Sequence, residues 1–388
     1  MTDVAITSTD LHHAAAGDFL GREIAKQMSG SPDAVIVFAS PGNDYPALLT
    51  ALEKSCCPKM IMGCSSAGEF TNTASGVGLT CVMALRSSEM RFSVRLGKEL
   101  STHRDAAARE IVSGLEGMSS PEYRYRSALV LVDALAGYTE DLIDKMTMAT
   151  AGTYRFFGGG AGDNAAFKKT VVFHGTEAHS DAVVALEILS NKPIGIGARH
   201  GWKPTGDPLR VTESGNGCVV SFNVAPAVEA FEDHAGSTNQ QFDRSDPIPF
   251  FLHNIVGVDT NSGCKLRVPL AVTEDGGVVC AAEVPTGSTA HIMETQASSA
   301  ADAATAAASD AIDQLVREGC QPKAALFFDC VATRLRLGKQ FTDELSALSD
   351  ELGGIPFAGF NSHGQIVRAD GQFSGFHNCT AVVCVFPD

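Results

Sequence analysis

Short apolar runs alternate along this chain with longer stretches in which leucine recurs every three or four positions. That alternation predicts strands joined by amphipathic helices. Ala34-Val-Ile-Val-Phe38 reads as an opening strand, Leu48, Leu49 and Leu52 mark one helix face, and Thr80-Cys-Val-Met-Ala-Leu85 reads as a closing strand. The same order returns late in the sequence. There Ala324-Ala-Leu-Phe-Phe328 opens, Leu345, Leu348 and Leu352 form the stripe, and Thr380-Ala-Val-Val-Cys-Val-Phe386 closes. Asp44 before Pro46, and Thr342 before Asp343 and Glu344, are placed to cap the two helices, and Gly353 with Gly354 to stop the second.

A looser third copy lies between them: strand Ala128-Leu-Val-Leu-Val132, a helix from Thr139 to Thr150, and the run Arg155-Phe-Phe-Gly-Gly-Gly-Ala-Gly-Asp163. The segment from about Arg210 to Gln296 reads mostly as strands, with a helix near Ala225 to His234. The longest expected helix is the alanine-rich stretch from about Ser298 to Glu318, whose end gains an apolar face from Ile312, Leu315 and Val316. These elements predict an α/β fold in which repeated strand-helix-strand cassettes form two fused mixed-sheet domains, 1–220 and 221–388.

Both clear cassettes carry the same polar strand end. Met62-Gly63-Cys64-Ser65-Ser66-Ala67-Gly68-Glu69-Phe70 returns as Ala358-Gly359-Phe360-Asn361-Ser362-His363-Gly364-Gln365-Ile366. A duplicated, glycine-flanked polar segment suggests paired sites facing a shared ligand or cleft. The candidate ligand-binding residues are therefore Cys64, Ser65, Ser66, Glu69, Asn361, Ser362, His363 and Gln365, with Asp163 after the glycine run. Arg334, following the last opening strand, is placed to pair with a ligand carboxylate or with Glu69 across the cleft.

Composition narrows the function classes. With 388 residues, 44% hydrophobic, the chain can bury its cores without disulfides. Its formal net charge of −16 works against a phosphate backbone, and Arg124 with Arg126, Lys168-Lys169, and Arg334 with Arg336 make no basic stripe, so nucleic acid is not an expected partner. No window approaches the roughly 18 uninterrupted apolar residues of a membrane span. A basic-then-apolar leader is also missing at the start, which gives a cytoplasmic expectation. The eleven cysteines are odd in number and form no Cys-x-x-Cys pair, which favours reduced thiols and gives no zinc spacing.

The ordered set Gly63-Cys-Ser-Ser-Ala-Gly-Glu-Phe70, Gly158-Gly-Gly-Ala-Gly-Asp163, Val211-Thr212 followed by Ala225-Pro-Ala227, Cys330-Val-Ala-Thr-Arg334, Gly359-Phe-Asn-Ser-His-Gly-Gln-Ile366 and His377-Asn-Cys-Thr380 resembles the FIST sensory proteins. The resemblance runs from about residue 30 to the end. It implies a ligand-sensing input module for signal transduction with an N-terminal and a C-terminal FIST domain. Among stand-alone members, which this chain resembles in architecture, it implies a haem protein that senses nitric oxide and regulates a partner histidine kinase. The family pattern of Tyr-Gly-Glu in the C-terminal motif is replaced here by His363-Gly364-Gln365. Loss of that carboxylate argues against a cationic ligand at this copy, and the histidine adds a ligand for haem b or a metal.

His363 and His234, the latter at the end of a predicted helix, are thus the haem-ligand candidates; their plainer roles are a hydrogen-bonded histidine and a complement to the helix dipole. Cys57-Pro58 offers a thiolate ligand, against the simpler role of ending a helix. Two alternatives to a gas sensor stand beside it. One is a sensor of an amino acid or another small polar ligand. The other is an enzyme acting through Cys64, Ser65 or Glu69, although Ala67 breaks the Gly-x-Ser-x-Gly pattern and no base or oxyanion hole is identifiable. Gly158 to Gly162 lacks the Lys-Ser/Thr ending of a phosphate loop and reads as a tight turn. No kinase, cyclase or DNA-binding segment is visible, so output is expected through a signalling enzyme as partner, with homodimerisation left open.

Overall fold

The computed structural model describes residues 1–261, 263–296, 298–369 and 374–388. Its architecture follows from one unit used three times. In each unit an opening strand, a helical connection and a second strand make a parallel pair: Ala34–Ala39 with Ile61–Ser65, Tyr125–Val132 with Arg155–Gly160, and Pro322–Cys330 with Phe357–Ser362. The closing strands Thr80–Ser87, Ala182–Ser190 and Ala381–Pro387 return antiparallel on the other side of the opening strand. Leading strands Thr2–Thr9, Met90–Lys98 and Gly195–Arg199 border the closing ones. The fold is mixed α/β, as expected, and the looser middle copy is a full member of the set.

The last two strands of each of the three core sheets come from a different unit. Glu69–Thr71 and Ser75–Gly76, which follow the first unit's second strand, complete the third sheet. Gln365–Arg368 and Gly375–His377 complete the second sheet, and Val172–His174 with Glu177–His179 complete the first. Three six-stranded sheets are thereby locked in a cycle.

Burial explains why the opening strands are apolar on both faces. Ala34, Ile36 and Phe38, Leu129 and Leu131, and Ala324, Leu326 and Phe328 meet in one core shared by the three sheets. Their alternate neighbours Val35 and Val37, Val130 and Val132, and Ala325 and Phe327 lie under the helices of their own units. At the centre Phe38 stacks on Phe360 at 4.5 Å, and Phe328 meets both edge-on. Gly63, Gly158 and Gly359 hold equivalent places, where a Cβ would sit 2.0 Å from the carbonyl oxygen of Val37, Val130 or Phe327. Bare backbone there leaves room for Phe173, Ile366 and Phe70 of the exchanged strands, each registered opposite its glycine. The glycine run after Phe157 is thus the end of a buried strand, and not the tight turn that its composition suggests.

Between the third leading strand and the helix Ser298–Arg317 the chain inserts an antiparallel sheet running from Lys203 to Glu294. It covers the helices Ala227–Thr238 and Ile248–Phe251 through a core around Phe231 and Phe251. Lys203 pairs with Glu294, so the insert leaves and rejoins the core at one place. Residue 220 falls within its strand Cys218–Phe222.

Two local expectations need correction. Thr342 lies inside the first turn of the helix Phe341–Glu351 and not ahead of it. The alanine-rich helix buries its whole alanine stripe from Ala300 to Ala311, because Gly195 and Gly197 admit its backbone, whereas Val316 is 58% exposed. No described helix is long and apolar enough to cross a membrane.

Candidate functional site

The three second strands end at one point, joined by a ring of backbone hydrogen bonds. The N–H of Ala67 donates to Asn361 O at 3.0 Å, that of His363 to Gly160 O at 3.0 Å, and that of Gly162 to Ser65 O at 2.8 Å. Ala67, Gly162 and His363 are therefore equivalents, and the serine motifs do meet. Their side chains, however, turn back on their own units. Ser40 and Ser66 both donate to the buried Glu69 carboxylate, Ser40 at 2.7 Å, and Glu69 accepts the Leu79 N–H at 3.0 Å. Burial nevertheless raises Glu69 to about 7. In the third unit the Gln365 amide donates to Ser362 Oγ at 2.8 Å and accepts the Thr380 N–H at 3.2 Å. In the middle unit Asp133 accepts from Thr170 and from the Asp181 N–H, the latter at 2.6 Å. Each group holds the residue just before its closing strand, so this set serves as strand caps.

The remaining candidates divide. Ser65 Oγ accepts the Val171 N–H at 3.1 Å. Cys64 is fully buried, and burial pushes its thiol well up, which removes the thiolate that an enzyme built on Cys64 needs. Asn361 Nδ2 reaches Asp329 at 3.4 Å, while its Oδ1 and the Arg334 Nε are buried without a partner around the place where a Gly68 Cβ would sit. Arg334 makes no ion pair with Glu69. His234 lies in the insert with Nε2 already paired to Asn254 at 3.0 Å and Glu294 at 2.9 Å. Cys57 is exposed at the end of the helix Tyr45–Cys56.

His363 differs from all of these. Gly162 faces Ala67 so closely that a Cβ would lie 2.9 Å from the Ala67 Cβ, and only the third position of the ring carries a large side chain outward. Its side chain is 3% exposed, stacks on Phe167 at 4.8 Å and brings Nε2 to 3.5 Å from the Asp163 carboxylate. Neither ring nitrogen has a hydrogen-bond partner. Burial pushes its pKa down to about 4, against the pull of Asp163, so the ring is neutral at pH 7. Asp163 accepts the N–H groups of Phe167 at 2.9 Å, Lys168 at 2.6 Å and Lys169 at 3.0 Å, which holds Phe167 against the imidazole.

The ring opens onto a cavity of about 340 Å³ between the three-sheet core and the insert. The core contributes Phe167, Cys330, Val331 and Asn378, and the insert contributes Phe251, Leu252 and Val268 among others. Its wall is almost wholly apolar and carries no charged side chain. Asn378 Oδ1 accepts the Val268 N–H at 3.2 Å and ties the two bodies together at the rim. Of the residues expected to bind ligand, only His363 lines this space; Asp163 acts one step behind it. Sequence reasoning gave no role to Cys330 and Asn378, although both stand in family motifs, and it had no signal for Phe251, which reaches the site from the insert.

The site is thus an apolar pocket with one imidazole, free of hydrogen-bond partners, on its wall. The FIST N domain matches residues 33–224 and the FIST C domain residues 227–368, and the chain belongs to the FIST family. FIST domains are sensor domains of signal transduction. No curated protein matches the chain. Among solved structures, PurLQS from Thermotoga maritima is 11% identical with a TM-score of 0.24, covering 100% of this chain and 72% of its own. Thermotoga maritima PurL complexed with AMPPCP gives 12% and 0.25 over the same shares. Likeness of that size carries no argument about fold or function.

Proposed function

We propose that this FIST protein senses a small, mostly uncharged ligand held on His363 between the core and the insert, and passes its occupancy to a separate signalling enzyme such as a histidine kinase. The observation that supports this reading is the buried, neutral imidazole on the cavity wall, whose ring nitrogens have no hydrogen-bond partner and whose Nε2 lies 3.5 Å from the Asp163 carboxylate. A buried polar group left unpaired costs about 1–3 kcal/mol, which a ligand bonded to it would recover. An amino acid fits less well, because its two charges meet no counter-charge on the cavity wall. Eleven free cysteines among the described residues support a cytoplasmic setting.

Haem b is the finer form of the same reading. His363 would hold the iron, and Phe167 and Phe251 would provide part of the apolar bed. Bound haem would supply an iron that takes a gas such as nitric oxide. The chain's own part is to keep the imidazole neutral, oriented by Phe167 and shielded from water. The wall offers no Lys or Arg that could pair with the haem propionates.

Because the ligand would lie between two bodies, binding alters how they sit against each other, and any partner that feels this must in turn change ligand affinity. The test is a haem titration followed by absorbance, with reduction and nitric oxide, on the wild type and His363→Ala. A saturable Soret band that shifts with nitric oxide and is lost in His363→Ala is expected for the haem form. No uptake removes haem. Thermal-shift screening with uncharged small molecules then tests the broader reading, which fails if no hit depends on His363.

A further inference from the structure

Cys330 and Cys379 are brought together by strand pairing. Phe328 is registered opposite Val382, so Cys330, ending the strand Pro322–Cys330, comes alongside the turn that precedes Ala381–Pro387, where Cys379 sits with φ of 48°. Both belong to one buried cluster with Trp202 and Ala332. Cys330, a residue only 2% exposed, also lines the cavity, which gives small solutes a path to it.

We propose that Cys330 and Cys379 form a peroxide-responsive dithiol, an oxidation site on the wall of the cavity. It does not depend on which ligand His363 binds. The Cys330 sulfur attacks one oxygen of hydrogen peroxide; the O–O bond breaks, and the departing hydroxide takes up the proton lost by the thiol as water. Cys330 is then a sulfenic acid. The Cys379 sulfur attacks it, an S–S bond forms, the S–O bond breaks, and the hydroxyl leaves with the Cys379 proton as a second water. Two thiols and one peroxide give a disulfide and two waters.

The surroundings set this pair apart from the other cysteines. The neighbouring Cys379 thiol, with backbone N–H groups, pulls Cys330 down to about 6 despite its burial. Its proximity to Cys330, with burial, raises Cys379 in turn, so one sulfur is the nucleophile and the other resolves. Burial instead pushes up the thiols of Cys64, Cys81, Cys280 and Cys384.

The test uses the full chain carrying Cys57→Ser, which removes an exposed thiol. After one equivalent of hydrogen peroxide and alkylation, peptide mapping by mass spectrometry should find a Cys330–Cys379 cross-link, with Cys330 consumed roughly tenfold faster than Cys64. Cys379→Ala should accumulate a dimedone-trapped sulfenic acid on Cys330, whereas Cys330→Ala should give none on Cys379. Full alkylation of Cys330 after peroxide in the parent chain overturns the proposal, as does a cross-link that joins other cysteines; neither result depends on how the variants fold.

Discussion

Glu69 and Gln365 occupy one place in two copies of one unit, and they differ in whether they can ionise. Burial raises Glu69 from 4.5 to about 7 in the folded chain. A raised acid pKa means that the folded state holds the proton more tightly than the unfolded one. Its contribution to stability is therefore complete below pH 4.5 and is lost as pH climbs to 7, a change on the order of 3 kcal/mol. Glu69→Gln should keep the uncharged arrangement at every pH, as Gln365 does with Ser362 and Thr380. Thermal unfolding at pH 8 should show the variant melting a few degrees above the wild type, with the gap closing near pH 5. Asp329 and Glu344, also raised by burial, titrate in both proteins and drop out of the difference. A variant less stable at both pH values would mean that the ionised carboxylate, with its hydroxyl and amide donors, is the stabilising form. At this scale the sequence was legible as pattern and illegible as role. The paired motifs were visible, but a serine that caps its own strand and a serine that awaits a ligand are written alike. His363 stood out because it breaks the repeat, and the cavity it faces is closed by residues far away in sequence.

The strands and helices themselves were readable wherever an apolar run or a leucine stripe was long enough to carry a period. The opening strands, the helices behind them and the closing strands lie close to where that pattern puts them. The exchanged strands were not readable. Glu69–Thr71, Val172–His174 and Gln365–Arg368 are three or four residues long, and their partners are chosen by the cycle of three sheets and not by any neighbour in sequence. The glycine beneath each exchange is where this choice is most exposed to mutation. In Gly359→Val the new side chain would meet the Phe327 carbonyl at 2.0 Å and the Phe70 ring at 2.4 Å, with backbone on one side and a fully buried aromatic on the other. The expected loss is more than about 3 kcal/mol, at or above the upper end of ordinary overpacking. Hydrogen exchange should show the amides of Glu69–Thr71 opening before those of the third unit's opening strand. If Gly359→Val melts within a degree of the wild type, the exchanged strand is not held by that close approach.

A cycle of exchanged strands makes the molecule's divisions a question of what can be removed without breaking it. A cut at residue 220 takes Phe357–Ser362 from Glu69–Thr71, Ala381–Pro387 from Gly195–Arg199, and Gln365–Arg368 from Arg155–Gly160. The fragment 1–220 would expose broad apolar sheet faces and the three-sheet core that Phe328 and Phe360 fill. The insert is joined differently. Lys203 pairs with Glu294, and Thr295 donates to the Gly201 carbonyl at 3.1 Å, so the ends of the excision lie side by side. Replacing 203–294 by a short Gly/Ser linker should leave a chain that still unfolds in one cooperative transition, whereas 1–220 should show no cooperative melt and should bind hydrophobic dyes. If the proposed site on His363 holds a ligand, the excised chain should also lose that binding, because Phe251, Leu252 and Val268 are removed from the cavity wall. Calorimetry of both chains separates the possibilities. Cooperative folding of 1–220 would mean that the exchanged strands are decoration on self-sufficient sheets. Collapse of the excised chain would mean that the insert's packing against Cys330 and Asn378 is what holds the third unit closed.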